Sequence, residues 1–150
     1  MPDGLTITYT YDESDRKTSV TASDGKNKEA ARKSTYGYDE YGYLSEKTEN
    51  GITTGYENDA FGNILKEKHA DGGTTVYRYD INGRCTCIIT PEQYRKKEEN
   101  AASCTAIGTV MEYDLCGRPV KTISPDGAIL EENTYDSSGN ILTQKNADGN

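Results

Sequence analysis

The sequence has no Trp, one Phe, one His and four Pro in 150 residues, and Leu, Ile, Val and Phe together supply only 21 of them. So thin an aliphatic share excludes a large oily core. With a net charge of −8, the composition taken alone falls among disordered chains. No apolar run reaches the roughly 18 residues a membrane helix needs. The first 30 residues are polar and hold no signal-peptide stretch. There is no basic stripe: Arg95-Lys96-Lys97 is answered at once by Glu98-Glu99, which disfavours nucleic acid. A phosphate loop, His-Glu-x-x-His and Gly-x-Ser-x-Gly are all missing. The lone His69 has no nucleophile context and reads as a solvated strand-end residue, not a base. Glu131-Glu132 are strand neighbours on opposite faces, a poor acid/base pair. The expectation is a non-enzymatic chain with no catalytic residue, no cofactor and no metal.

Cysteine is also sparse. Cys85, Cys87, Cys104 and Cys116 are too few for a disulfide scaffold. Cys85-Thr86-Cys87 has the wrong spacing for a common zinc knuckle. Free, half-buried thiols acting as small hydrophobes are the favoured reading. A link from Cys85 or Cys87 to Cys104 or Cys116 stays open, as does a Cys pairing with His69.

What is abundant is tyrosine, with 12 residues, and glycine, with 15. A tyrosine ring covers much apolar area while its hydroxyl stays near water. The tyrosines recur in one phrase, Tyr-Asp-x-x-Gly. It stands at Asp39 with Gly42, Asp80 with Gly83, Asp114 with Gly117 and Asp136 with Gly139. A looser copy is Asn58-Asp59 with Gly62, and a decayed one is Tyr11-Asp12 with Asp15 in the Gly place. The anchors near 12, 39, 59, 80, 114 and 136 are separated by 27, 20, 21, 34 and 22 residues. A near-fixed period means stacked copies of one small unit, so order is favoured over disorder.

Asp-x-x-Gly has a turn mechanism: Asp suits the first place of a type I turn and Gly the fourth. The carboxylate accepts the N–H two residues on, and Gly permits a positive φ. A calcium loop at Asp80-Ile81-Asn82-Gly83 lacks further carboxylates. About ten residues after each such Gly come Asp24-Gly25, Asn50-Gly51, Asp71-Gly72, Asp126-Gly127 and Asp148-Gly149, the preferred pairs for type I′ hairpin turns. Between the two signals lie strand-like segments. Ile7, Tyr9 and Tyr11 take one face and Thr6, Thr8 and Thr10 the other; Thr75, Tyr77 and Tyr79 repeat the alternation. Leu44, Ile64, Cys85 and Ile141 follow the turn glycines by two. The expected fold is all-β: a single repeat array over residues 1–150, with antiparallel hairpins joined edge to edge as a curved meander of roughly twelve short strands. One face is Tyr/Ile/Leu, the other Thr/Lys/Glu. Periodic tyrosines read as cross-strand packing before they read as a sugar platform. Insertions fall near 26–34, a hairpin tip or short helical turn, and near 90–106, a solvated excursion. Within the latter, Thr90-Pro91-Glu92-Gln93 is a capping box, which predicts a short surface helix from Pro91 to about Ala102.

The copies Tyr113-Asp114-Leu115-Cys116-Gly117-Arg118-Pro119-Val120, followed by Pro125-Asp126-Gly127, and Tyr135-Asp136-Ser137-Ser138-Gly139-Asn140-Ile141-Leu142 resemble the YD repeat of Rhs, teneurin and insecticidal toxin-complex proteins. Asp15-Arg16-Lys17-Thr18-Ser19-Val20, ending in Asp24-Gly25, also matches except at Asp15. The resemblance implies a β-sheet ribbon spiralling into a hollow shell. It implies a structural wall segment enclosing a toxin carried on the same chain or on a partner, in a secreted or cell-surface protein. The implied partners are neighbouring repeats of a longer chain and an encapsulated toxin domain. The alternative is a cell-surface adhesion module binding carbohydrate or a receptor. No catalytic residue carries over.

Overall fold

A computed structural model of the chain describes residues 4–24, 31–96 and 107–149. The Asp-x-x-Gly signals and the Gly-containing turns between them divide these residues into strands, as alternating turns must in a chain this rich in Thr and Tyr. Two compact units are seen, Met1–Gly72 and Gly73–Asn150. The first holds β1 (Thr6–Tyr11), β2 (Lys17–Ser23), β3 (Arg32–Tyr38), β4 (Leu44–Glu49), β5 (Ile52–Asn58) and β6 (Ile64–Lys68). The second holds β7 (Thr74–Tyr79), β8 (Cys85–Ile89), α1 (Pro91–Lys96), β9 (Thr109–Tyr113), β10 (Pro119–Ile123), β11 (Ile129–Tyr135) and β12 (Ile141–Asn146). Within each unit the strands lie side by side in chain order, antiparallel throughout.

Register explains the two faces of the first unit. Thr10 lies opposite Ser19, Ser19 opposite Thr35, Thr35 opposite Thr48 and Thr48 opposite Thr53. This hydroxyl ladder is closed by side-chain bonds, Thr10 to Ser19 at 2.7 Å and Thr48 to Thr53 at 2.8 Å. Directly opposed residues share a face and alternate along a strand, so Tyr9, Val20, Tyr36 and Tyr56 occupy the other side. That side also carries Lys47, opposite Tyr36, and Glu67, opposite Tyr56. Charge is therefore not confined to the threonine face.

The buried core departs from the sequence expectation. Its members are Val76, Cys87, Ile89 and Ile107, with Tyr94 packed against them. Val76 pairs with Ile89, and Cys87 lies opposite Arg78. These residues therefore share the face opposite Tyr77, the side expected to be polar. The reason is a second layer. A single sheet leaves both faces half wet, and among the described residues the apolar core lies where α1 packs against β7 and Tyr94 covers the cluster. The segment after Thr90 is thus not a purely solvated excursion, because its Tyr94 covers the core. One arm of the capping box is present: Thr90 N–H donates to Gln93 Oε1 at 2.8 Å. The helix is described over Pro91–Lys96; the expected continuation to Ala102 lies outside the described residues.

Three further readings change. Arg32 to Ser34, assigned to an insertion near 26–34, form the start of β3; residues 25–30 lie outside the described set. Cys87 is disulfide-bonded and only 2% exposed, not a free thiol. Cys85 and Cys116 are free, Cys85 half-buried and Cys116 exposed; Cys104 lies outside the described residues. The type I′ reading holds at Asn50-Gly51, where both φ are positive, 50° and 83°. At Asp71-Gly72 and Asp126-Gly127 only the Gly is left-handed. Gly72 N–H bonds His69 C=O and Gly127 N–H bonds Ser124 C=O. Both are four-residue turns closed like Asp-x-x-Gly, and the one at Asp126-Gly127 leads into a bulge. The wider strand spacing there, with Ile123 opposite Ile129, leaves too many residues for a two-residue loop.

Candidate functional site

The Asp-x-x-Gly turns form a row at one end of the strands in each unit. In each, the Asp C=O accepts from the N–H three residues on, and the Asp N–H donates to the C=O four on. Gly42, Gly62, Gly83, Gly117 and Gly139 have φ between 77° and 89°. Asp15, in the decayed copy, takes φ 58°.

The carboxylates are fully engaged. Asp39 Oδ1 accepts from Tyr41 and Tyr43 N–H at 3.0 and 2.9 Å. The same pair of bonds recurs at Asp12, Asp59, Asp80, Asp114 and Asp136. The second oxygen takes the side chain four residues on: Arg16, Arg84 and Arg118 Nε each at 2.7 Å, Asn63 at 2.9 Å and Asn140 at 3.0 Å. Donors aimed at the anion hold all six below the ordinary 3.8 of an aspartate. The main cause at Asp12, Asp80 and Asp114 is the backbone N–H of the arginine four on. At Asp59 and Asp136 it is the asparagine amide. At Asp39 desolvation pushes up, but the Tyr43 N–H and the Asn58 amide outweigh it. Carboxylates so occupied are poor general bases. The Asp80 oxygens, spent on N–H donors, are also poor calcium ligands.

Each arginine does a second job, on the next hairpin of its unit. The Arg16 guanidinium lies 4.9 Å from the Tyr38 ring centre, Arg84 5.0 Å from Tyr113 and Arg118 4.6 Å from Tyr135. The tyrosine hydroxyl donates to the carbonyl just past the arginine: Tyr38 to Lys17 at 2.8 Å, Tyr113 to Cys85 at 2.6 Å, Tyr135 to Pro119 at 2.7 Å. Arg84 and Arg118 Nη1 also donate to the Asp114 and Asp136 carbonyls at 3.4 and 3.3 Å. One turn thereby clamps the tyrosine and the turn backbone of its successor. We call this pair a latch.

The second repeat exchanges the two chemistries. Tyr43 stands where the three latching turns have Arg, and Asn58 where the hairpins they clamp have Tyr. The Asn58 amide donates to Leu44 C=O at 2.9 Å, replacing the tyrosine hydroxyl, and to Asp39 Oδ2 at 3.3 Å, replacing the arginine. The Tyr43 ring fills the freed space. Its carbons stand 2.6 to 3.0 Å from where a Gly62 Cβ would lie, so Gly62 is required by close approach as well as by φ.

Sequence reasoning named the turn residues but missed the latch. The tyrosine hydroxyl and the carbonyl that accepts it are separated by 21, 28 and 16 residues, and the irregular spacing hides the pairing. His69 takes no part in this row; its Nδ1 lies 3.9 Å from Glu67 Oε1.

The depressed carboxylates set a pH dependence. A folded-state pKa below the unfolded value gives stability that is present above about pH 4 and lost as pH falls through the folded values. Urea midpoints followed by circular dichroism are expected to change little between pH 7 and about 4 from this source, then to fall on further acidification. A midpoint that rises below pH 4 would contradict the assignment.

The RHS Repeat family model matches residues 2–26. The tRNA nuclease WapA of Bacillus subtilis is 32% identical over 143 residues, 89% of this chain. The tRNA3(Ser)-specific nuclease WapA of Bacillus spizizenii is also 32% identical, over the same share. The chain spans about 6% of the length of these relatives. Among solved structures, the Photorhabdus luminescens Tc holotoxin pore is similar over 87% of this chain and 6% of that one, with a TM-score of 0.60 and 19% identity. At that identity the likeness concerns the fold alone.

Proposed function

The chain is a segment of YD/Rhs repeats, and from that premise we propose that it is structural, a length of shell wall whose hairpins are joined edge to edge and latched turn to turn. The observation that carries the reading is the latch itself. It recurs between Arg16 and Tyr38, Arg84 and Tyr113, and Arg118 and Tyr135, and in exchanged form between Tyr43 and Asn58. Asp39, Gly42, Asp59, Gly62, Asp80, Gly83, Asp114, Gly117, Asp136 and Gly139 are, in this proposal, wall fasteners spread over one continuous array, with no catalytic duty.

The wall encloses a toxin carried on the same longer chain or on a partner, and the neighbouring contacts are further repeats. The relatives are nucleases by name, but this stretch matches a small fraction of their length, and its own carboxylates are committed to backbone. The location proposed is secreted or cell-surface; the disulfide at Cys87 supports an oxidising compartment.

The test is limited proteolysis of the longest natural chain carrying these repeats, with the enclosed domain followed by mass. The enclosed domain is expected to resist protease in the intact chain and to become cleavable when the latches are broken by Arg84→Ala with Arg118→Ala. Equal cleavage in both would contradict the wall. Saturable binding of this chain on a glycan array would instead favour the adhesion reading.

A further inference from the structure

Asn133 breaks the repeat pattern on β11. Three residues before each anchor Asp the chain places Tyr9, Tyr36, Tyr56, Tyr77, Met111 and then Asn133. Five before it come Ile7, Ser34, Thr54, Thr75, Thr109 and then Glu131. One strand thus replaces an aromatic or Met by an amide and an uncharged residue by a carboxylate. Asn133 is only 6% exposed, and its Oδ1 accepts from no donor among the described residues. An orphan acceptor at that depth is costly to a fold, and packing alone would favour the aromatic.

The neighbours of this oxygen are polar. Asn133 Nδ2 donates to Glu131 Oε1 at 2.8 Å, and the Gln144 amide donates to the same oxygen at 3.1 Å. Gln144 lies directly opposite Asn133; Asn146 and Thr122 lie opposite Glu131 on its two sides. The five therefore share one face. The two amides, that of Asn133 first, hold the Glu131 carboxyl below its ordinary range. No cation is among its partners in the described residues. Lys121 and Lys145 stand opposite Glu132 on the other face, and Arg118 is held by Asp114. A half-buried negative charge and a buried amide oxygen stand together with no cationic donor.

The geometry points to a binding site for a primary ammonium group at Glu131 and Asn133, with Gln144 as its cover. The ammonium takes the place of the Gln144 amide at Glu131 Oε1 and donates a second N–H to Asn133 Oδ1. Gln144 is exposed, so its side chain has room to swing outward and uncover that oxygen. Thr122 and Asn146 are oxygen-bearing neighbours for the third N–H. The donor set decides the class. One carboxylate among neutral oxygens matches a single positive charge, whereas a calcium ion asks for more carboxylates. An ammonium brings three donors and no acceptor, as unmet acceptors require. A guanidinium fork is best served by both oxygens of one carboxylate, and here one of them already receives two amides. The ammonium is that of a free amine or of a lysine on a partner protein. The site lies within the β11–β12 hairpin and does not depend on the wall reading.

The test is nuclear magnetic resonance of the isotope-labelled chain, with the Asn133 and Gln144 side-chain amides followed during titration with ethylammonium chloride. Both sets of signals are expected to shift saturably. Tetramethylammonium chloride at equal ionic strength, a cation without N–H, is expected to leave them in place. Glu131→Gln is expected to weaken binding at least about tenfold. Asn133→Met, which restores the residue of the preceding repeat, is expected to weaken it likewise while raising the urea midpoint. Gln144→Ala removes the competing amide and is expected to tighten it. Tighter binding of Nα-acetyl-lysine amide than of ethylammonium assigns the site to a lysine side chain, and binding no tighter assigns it to a free amine; either result supports the ammonium site. No saturable shift, equal shifts with tetramethylammonium, a preference for calcium chloride, or unchanged binding in Glu131→Gln would overturn it.

Discussion

Gly62→Ala is expected to cost about 3 kcal/mol, roughly twice the loss from Gly83→Ala. Both glycines are left-handed, with φ 86° and 77°, and a side chain in that region costs about 1–2 kcal/mol. Around Gly83 a new Cβ meets nothing within 4 Å, whereas at Gly62 it would sit 2.6 Å from a Tyr43 ring carbon. The ring cannot simply withdraw, since it fills the space that the Asn58 amide leaves over Asp39 and Leu44. The extra loss measures that packing. Urea denaturation of the two variants decides it, and equal losses would mean that the ring is not held where the latch requires.

The exchanged repeat supplies the second large effect. Tyr43→Arg alone sets a guanidinium and the Asn58 amide in competition for one oxygen of Asp39. Asn58→Tyr alone drives a second ring against Tyr43. Each is expected to lose about 1–2 kcal/mol. The double variant rebuilds the arrangement of Arg84 with Tyr113 and is expected to recover to within about 0.5 kcal/mol of the parent. The coupling is then about 2 kcal/mol in a thermodynamic cycle. Additive losses would show that the two positions do not read one another.

Strands and their order were readable because turn chemistry is local. Tyr-x-Tyr-Asp, a glycine three past the Asp and an apolar residue two further on all lie within one hairpin. Thr6, Thr8 and Thr10 against Ile7, Tyr9 and Tyr11 display the pleat directly. What could not be read is relational. Arg118 and Tyr135 lie on different hairpins, and insertions vary the distance between such partners. Val76, Cys87 and Ile89 look like ordinary strand residues until Tyr94 is laid over them, so the side that holds the core depends on an insertion. The turns at Asp71-Gly72 and Asp126-Gly127 were misjudged because a dipeptide does not count the residues between strands. Cys87 sits in so sparse a cysteine set that a free thiol is the favoured reading there, with the bond left as the open alternative.

Native-state hydrogen exchange on Asp114→Ala tests the latch most directly. Asp114 anchors its own turn through the Cys116 and Arg118 N–H groups and steers the Arg118 side chain onto Tyr135. The expected result is faster exchange both in the turn and along β11, from Ile129 to Tyr135, while β7 and β8 keep their protection. Faster exchange confined to residues 114–118, with β11 unchanged, would show that the turn stands alone and that no fastening passes from one hairpin to the next.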